Sequence, residues 1–174
     1  MSTFRVASPA RRRALRAVIA AGAALLALPA AASNTASGTA NAEVVQPIAI
    51  AAVQTLEFGK LVAGTGGTVA VSVAGARTPS GGVIALASPA PRAATFTVTG
   101  DSGAAYTVTL PADGSVTLSD GALHTMAVDS FTSDTTGTIT GGSVTLTVGA
   151  TLTVGNGQAQ GAYTGTFPVS VDYQ

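Results

Sequence analysis

Ala94-Thr95-Phe96-Thr97-Val98-Thr99-Gly100 and, a few residues on, Tyr106-Thr107-Val108-Thr109-Leu110 read as two strands of a half-buried sheet. In both stretches a large apolar side chain alternates with threonine. A strand throws successive side chains to opposite faces, so this period of two puts one face in a core and leaves the other to solvent. The same pattern extends in both directions. Val69, Val71 and Val73 alternate with Thr68, Ala70 and Ser72, and Val116 with Leu118 and Met126 with Val128 form short runs. Val144, Leu146 and Val148 read as one further strand, and Leu152 and Val154 as another.

Turn residues separate these runs: residues 64–67, 79–82, 100–103, Asp113-Gly114, Asp120-Gly121, Gly141-Gly142 and residues 155–157. No stretch beyond residue 46 carries an apolar stripe at i, i+3, i+4, i+7. Many short strands joined by glycine-rich turns predict an all-β, immunoglobulin-like β-sandwich of two packed sheets, over residues 47–174. A closed barrel is the structural alternative. No repeat of solenoid period is present.

The N-terminus has a different composition. Arg5, Arg11, Arg12, Arg13 and Arg16 precede an uncharged run over residues 17–28, and Ala30-Ala31-Ala32 offers a small-residue cleavage site. This order predicts a secretory signal peptide over residues 1–32, with an apolar run shorter than the roughly 20 residues that cross a bilayer. Arg12-Arg13-Ala14-Leu15 matches a twin-arginine signal only in part, and unfolded export is the expected route. Residues 33–46 read as a flexible extension of small and polar residues. The expected destination is the periplasm in transit, then the cell surface or an extracellular fibre.

Removal of the signal leaves Lys60, Arg77 and Arg92 against eight acidic residues, three against eight, a net charge of −5. So few and scattered cations cannot neutralise a row of phosphates, which argues against nucleic acid. They argue equally against an anionic membrane surface, and no insertion of the mature chain into a membrane is expected. With no cysteine in the chain, thiolate metal sites and thiol chemistry are excluded, and so is a disulfide.

Neither catalysis nor a cofactor nor a metal site is expected. His124 is the single histidine, and a lone histidine beside Leu123, Thr125 and Met126 reads as an ordinary strand or loop residue. Asp101, Asp113, Asp120, Asp129 and Asp134 are spread through turns, which aspartate favours on its own account. No spacing of acids makes a calcium loop, and no nucleophile elbow is present.

The C-terminus is the most specific stretch. From Gly161-Ala162-Tyr163-Thr164-Gly165 the chain runs Thr166-Phe167-Pro168-Val169-Ser170-Val171-Asp172-Tyr173-Gln174. Phe167, Val169, Val171 and Tyr173 share one face, and Thr166, Pro168, Ser170 and Asp172 the other. The penultimate residue is aromatic, and Gly161 stands fourteenth from the end, counting Gln174 as first. This combination resembles the terminal motif of chaperone–usher pilus subunits. The resemblance implies an incomplete sandwich whose C-terminal strand is paired first by a strand of a periplasmic chaperone. The N-terminal extension of the next subunit then takes that place, at an outer-membrane usher.

Carried to this chain, the resemblance makes Gly161, Phe167, Val169, Val171 and Tyr173 the strand-exchange contacts, Gly161 allowing close backbone approach. The partners would be copies of the chain or related subunits. Ala42, Val44 and Gln46 are candidate donor residues within residues 36–46, while residues 48–53 are expected to form the chain's own first strand. Pro47 lacks a ladder donor and suits an edge.

A second resemblance covers most of the mature chain. Leu56-Glu57-Phe58-Gly59, the two strands quoted first with Pro111 after them, and residues 149–152 leading to Gly161-Ala162-Tyr163-Thr164-Gly165 are similar to the family called domain of unknown function 4402. That likeness implies exported, fimbrial or surface-associated β-proteins. The function expected is therefore a structural subunit of a bacterial surface fibre assembling by donor-strand complementation. The alternative is a self-complete monomeric adhesin or matrix-binding sandwich.

Overall fold

The computed structural model describes residues 34–134 and 137–174, so the signal peptide expected over residues 1–32 lies outside the described residues, as does Ser33. The chain divides into two units, Met1–Asn41 and Ala42–Gln174. Of the first, residues 34–41 are described; they are exposed and carry no regular secondary structure. The second unit begins with a similarly irregular, mostly exposed stretch up to Ile48.

Among the described residues the second unit is all β, with twelve strands. In order they are β1 (Ala49–Gln54), β2 (Leu61–Val62), β3 (Gly67–Val71), β4 (Arg77–Gly81), β5 (Ile84–Ala85) and β6 (Ala94–Thr99). The second half holds β7 (Ala105–Thr109), β8 (Val116–Ser119), β9 (Thr125–Ser133), β10 (Gly137–Thr138), β11 (Ser143–Val154) and β12 (Ser170–Tyr173). The large sheet follows the path β1-β6-β11-β3-β4, with β9 and then β8 on the other flank of β11. Facing it are the small sheet β10-β7-β12 and the two-stranded β2-β5. Every ladder is antiparallel. This is the expected β-sandwich arrangement.

The long strand β11 organises the interior. Its even-numbered residues all point inward, but into two different cores. Leu146 and Val148 join Ala94, Val98, Tyr106, Ile139 and Val171 in one. Ala150, Leu152 and Val154 join Val69, Val71, Val116, Met126 and Val128 in the other. The sequence pattern reads as two strands here, because Gly149 and Ala150 interrupt the large residues. The inward parity of the large residues is kept across them, although the pairing with β9 shifts register between Gly149 and Thr151: β6 pairs with residues up to Val148 and β3 with Ala150 onward. Gly149 marks the changeover, where a Cβ would run into the Val71 carbonyl oxygen. Phe131, Phe167 and Leu56 pack against both cores and join them.

One expected turn is corrected. Residues 79–81 lie inside β4, where Pro79 stands opposite Val69. Proline lacks the N–H a central strand must donate, and β4 pairs only with β3, so the residue sits on an outer strand where that donor is not missed. The expected first strand over residues 48–53 is present as β1, shifted by one residue and paired with β6.

Candidate functional site

The C-terminal alternation places its residues as its parity requires. Val171 is buried, Phe167, Val169 and Tyr173 are half-buried, and Thr166, Pro168, Ser170 and Asp172 are exposed. The four apolar side chains pack against the core that holds Val98, Tyr106 and Leu146. The Phe167 ring meets Phe96 edge-on at 6.2 Å and Phe131 at 5.1 Å between centroids. Three of the four nevertheless keep part of their surface outside that core.

The backbone of β12 is paired on one side only. Its register with β7 sets Val171 opposite Val108 and Tyr173 opposite Tyr106, and the Gln174 N–H donates to the Ala105 carbonyl at 3.1 Å. In an antiparallel ladder, opposed residues alternate between hydrogen-bonded and non-bonded pairs. Asp172 and Ser170 therefore turn their N–H and C=O groups toward β7. Val171 and Tyr173 turn theirs the other way, where no strand pairs with β12 among the described residues.

The neighbour across that open edge is β1, itself the last strand of the large sheet. The Tyr173 hydroxyl ties the two at one end: it donates to the Gln46 carbonyl at 2.6 Å and accepts from the Asp101 N–H at 2.7 Å. Ahead of β12 and beyond the end of β1 lies a groove of about 1150 Å³ with a largely apolar lining. Thr55 and Leu56 follow β1 on one bank, and Tyr163 and Phe167 precede β12 on the other. Val116, Leu118, Met126, Val128, Leu152 and Val154 form the floor.

The second bank is held in place by local bonds. Thr164 exchanges both backbone hydrogen bonds with Ser119 at the end of β8, at 2.8 and 2.9 Å. That closeness requires glycine next door, because a Cβ on Gly165 would lie 2.5 Å from the Thr117 carbonyl oxygen. The Gln158 Nε2 donates to the Tyr163 hydroxyl at 2.9 Å, and that hydroxyl donates to the Ala159 carbonyl at 2.9 Å. Gly161 is exposed and lies outside any strand, where a Cβ would be 3.3 Å from the Asp120 Cβ. Within the chain itself, the close backbone approach in this stretch is made by Gly165.

A family model described as a domain of unknown function, DUF4402, matches residues 48–173. The chain belongs to this family. No curated protein and no solved structure matches it. The DUF4402 match takes in both banks of the seam, from Ile48 ahead of β1 to Tyr173 at the end of β12. Ala42, Val44 and Gln46 precede it. Val44 is 96% exposed, touching almost nothing of its own chain, and Gln46 is held through its carbonyl by Tyr173.

The titratable groups lie away from the seam's floor. His124 Nδ1 is 2.6 Å from Asp120 Oδ2 in the turn between β8 and β9, and Asp120 also accepts from the Ala122 N–H at 2.8 Å. The hydrogen bond from His124, then the Ala122 amide, hold the Asp120 carboxyl below its usual range. Asp113 and Asp129 cross-brace another turn, accepting from the N–H groups of Ser130 and Gly114 at 2.7 Å each. Ser130 stands at a φ of 52°, a left-handed conformation unusual for a residue with a side chain. These aspartates shape turns.

Proposed function

We propose that this DUF4402 protein is an exported structural subunit of a bacterial surface fibre, and that its seam accepts a β-strand from a neighbouring molecule. The observation that carries the reading is the unpaired edge of β12 together with the largely apolar groove lined by Phe167 just ahead of that strand. Unpaired edges and uncovered apolar surface are hazards that stable monomers blunt with charge, proline or a covering loop. Here the inward face of the edge strand is apolar throughout, and its backbone groups at Val171 and Tyr173 await partners. Strand addition meets both needs together: main-chain hydrogen bonds supply affinity, and alternate side chains filling the groove supply specificity.

The N-terminal resemblance to an export signal and the pilus-like C-terminus point the same way. A periplasmic chaperone and an outer-membrane usher are the partners this route calls for, and neither a cofactor nor catalysis enters it. Deleting residues 34–46 from the exported chain tests the reading, with Ser33 kept after the signal and joined to Pro47. A fibre subunit keeps its fold and loses multimers. Unchanged behaviour, as a monomer before and after, assigns the chain instead to the adhesin or matrix-binding class.

A further inference from the structure

Ser130 carries a backbone strain that its own structural duties do not explain. Among the described residues twelve glycines stand at positive φ, and Ser130 is the one residue with a side chain that does so. The chain thus uses glycine wherever else it needs this conformation, and keeps a serine here against a steric cost. The position is a β-bulge: Ser130 and Phe131 together face Ala150, between the pairs Thr132–Gly149 and Asp129–Thr151. Bulges with a left-handed residue take glycine without strain. The turn does not require serine either. Asp113 binds the Ser130 N–H, which glycine would keep, and the Ser130 hydroxyl bonds nothing among the described residues. Strain kept at one residue and re-aiming by a bulge both favour a site of function.

Ser130 lines a depression of about 270 Å³ on the outer face of the large sheet. Thr78, Ala70, Thr151 and Asp129 make one row across β4, β3, β11 and β9, with the parity that points away from both cores. Thr78, Thr151 and Thr132 join Ser130 in the lining, and Ala70 and Ala76 leave it roomy. None of these four hydroxyls hydrogen-bonds within the described residues. No charged side chain lines the depression. Asp129, next along the row, accepts from the Gly114 N–H at 2.7 Å, and the Arg77 guanidinium donates to the Phe58 carbonyl at 2.8 Å.

We propose that this depression binds a neutral sugar ring, a single pyranose unit of a glycan. Each hydroxyl can donate and accept, which matches a ligand bearing several hydroxyls of its own. The uncharged lining offers nothing to an ionised group, and the small alanines admit the C–H face of a ring. The volume falls just below the ~300–1,000 Å³ of sites that enclose drug-sized ligands, so one ring fits and a chain of them does not. Ser130 is then a contact held in place before the ligand arrives, which lowers the ordering cost of binding. The site lies apart from the seam, and its test is independent of strand exchange.

Saturation-transfer difference NMR on the exported protein reads the sugar's own signals, so it serves monomers and multimers alike. The probes are the methyl glycosides of glucose, galactose and mannose, and at least one is expected to take up saturation at its ring protons. Thr132→Val and Thr151→Val keep the side-chain shape and remove a hydroxyl; each should weaken binding about fivefold or more. Ala70→Leu, which fills the depression, should abolish it. Thr145→Val, exposed on the same strand β11 but outside the lining, should change nothing. Ser130→Gly separates the two explanations of the strain: binding should weaken about fivefold while the melting temperature holds or rises. A fall in melting temperature with binding intact would make the serine structural and overturn its role. Saturation of none of the three glycosides, or binding that survives the Thr132, Thr151 and Ala70 variants, overturns the site.

Discussion

Tyr173 contributes at the residue scale through its hydroxyl, which bridges the Asp101 amide to the Gln46 carbonyl and so fastens the start of the domain to its end. Tyr173→Phe keeps the ring and removes two hydrogen bonds, each worth about 0.5–1.5 kcal/mol net. A loss of about 1–2 kcal/mol in urea unfolding is expected, with the fold retained. Gly165 carries a steric role: Gly165→Val sets a side chain against the Thr117 carbonyl and Leu118, and should cost about 1–3 kcal/mol. Gly161→Val, at an exposed site, should cost clearly less in the same assay. The resemblance to the pilus terminal motif singled out Gly161 by its position relative to the end, for a contact with a partner strand. The close approach to β8 that demands glycine exists only after folding, which hides Gly165 from a sequence reading. Asp120 gives a pH signature. Its carboxyl is held below the ordinary value of 3.8, so its contribution to stability is complete above that value and fades as pH falls below it. Asp120→Asn should flatten the acid-side decline in melting temperature over that range.

At the scale of elements, β12 and β1 present facing edges with one end tied and the other open. The inward and outward faces of β12 were readable from alternation alone, because burial follows strand parity at every position from Thr166 to Gln174. Its open edge was not readable. Which backbone groups go unpaired depends on where β7 falls, a long-range pairing set by the whole sandwich. The continuity of β11 was hidden for a related reason, since small residues at its centre mimic a break between strands while serving two cores. Val128→Asp, in the groove floor and 2% exposed, buries a charge without a partner. It should cost about 3 kcal/mol or more and lower the yield of exported protein, whereas Val44→Asp, on an exposed extension, should leave the yield intact and remove multimers.

At the scale of the whole molecule, the described residues include a sandwich with an open seam and, ahead of the DUF4402 match, an exposed segment without regular structure. Class and strand content were legible because period-two patterning with glycine turns admits few other folds. The groove was not, since its two banks, residues 55–64 and 157–167, are far apart in sequence and lack strand patterning along much of their length. A chain of this design should be marginal alone and kinetically locked once joined, because leaving the seam requires breaking a full ladder at once. The direct test is electrophoresis of the exported protein in SDS, unboiled and boiled, beside size-exclusion chromatography. A strand-exchanging subunit gives a ladder of multimers that collapses to one band only on boiling. A single sharp monomer in both samples, eluting as a monomer, would contradict strand exchange.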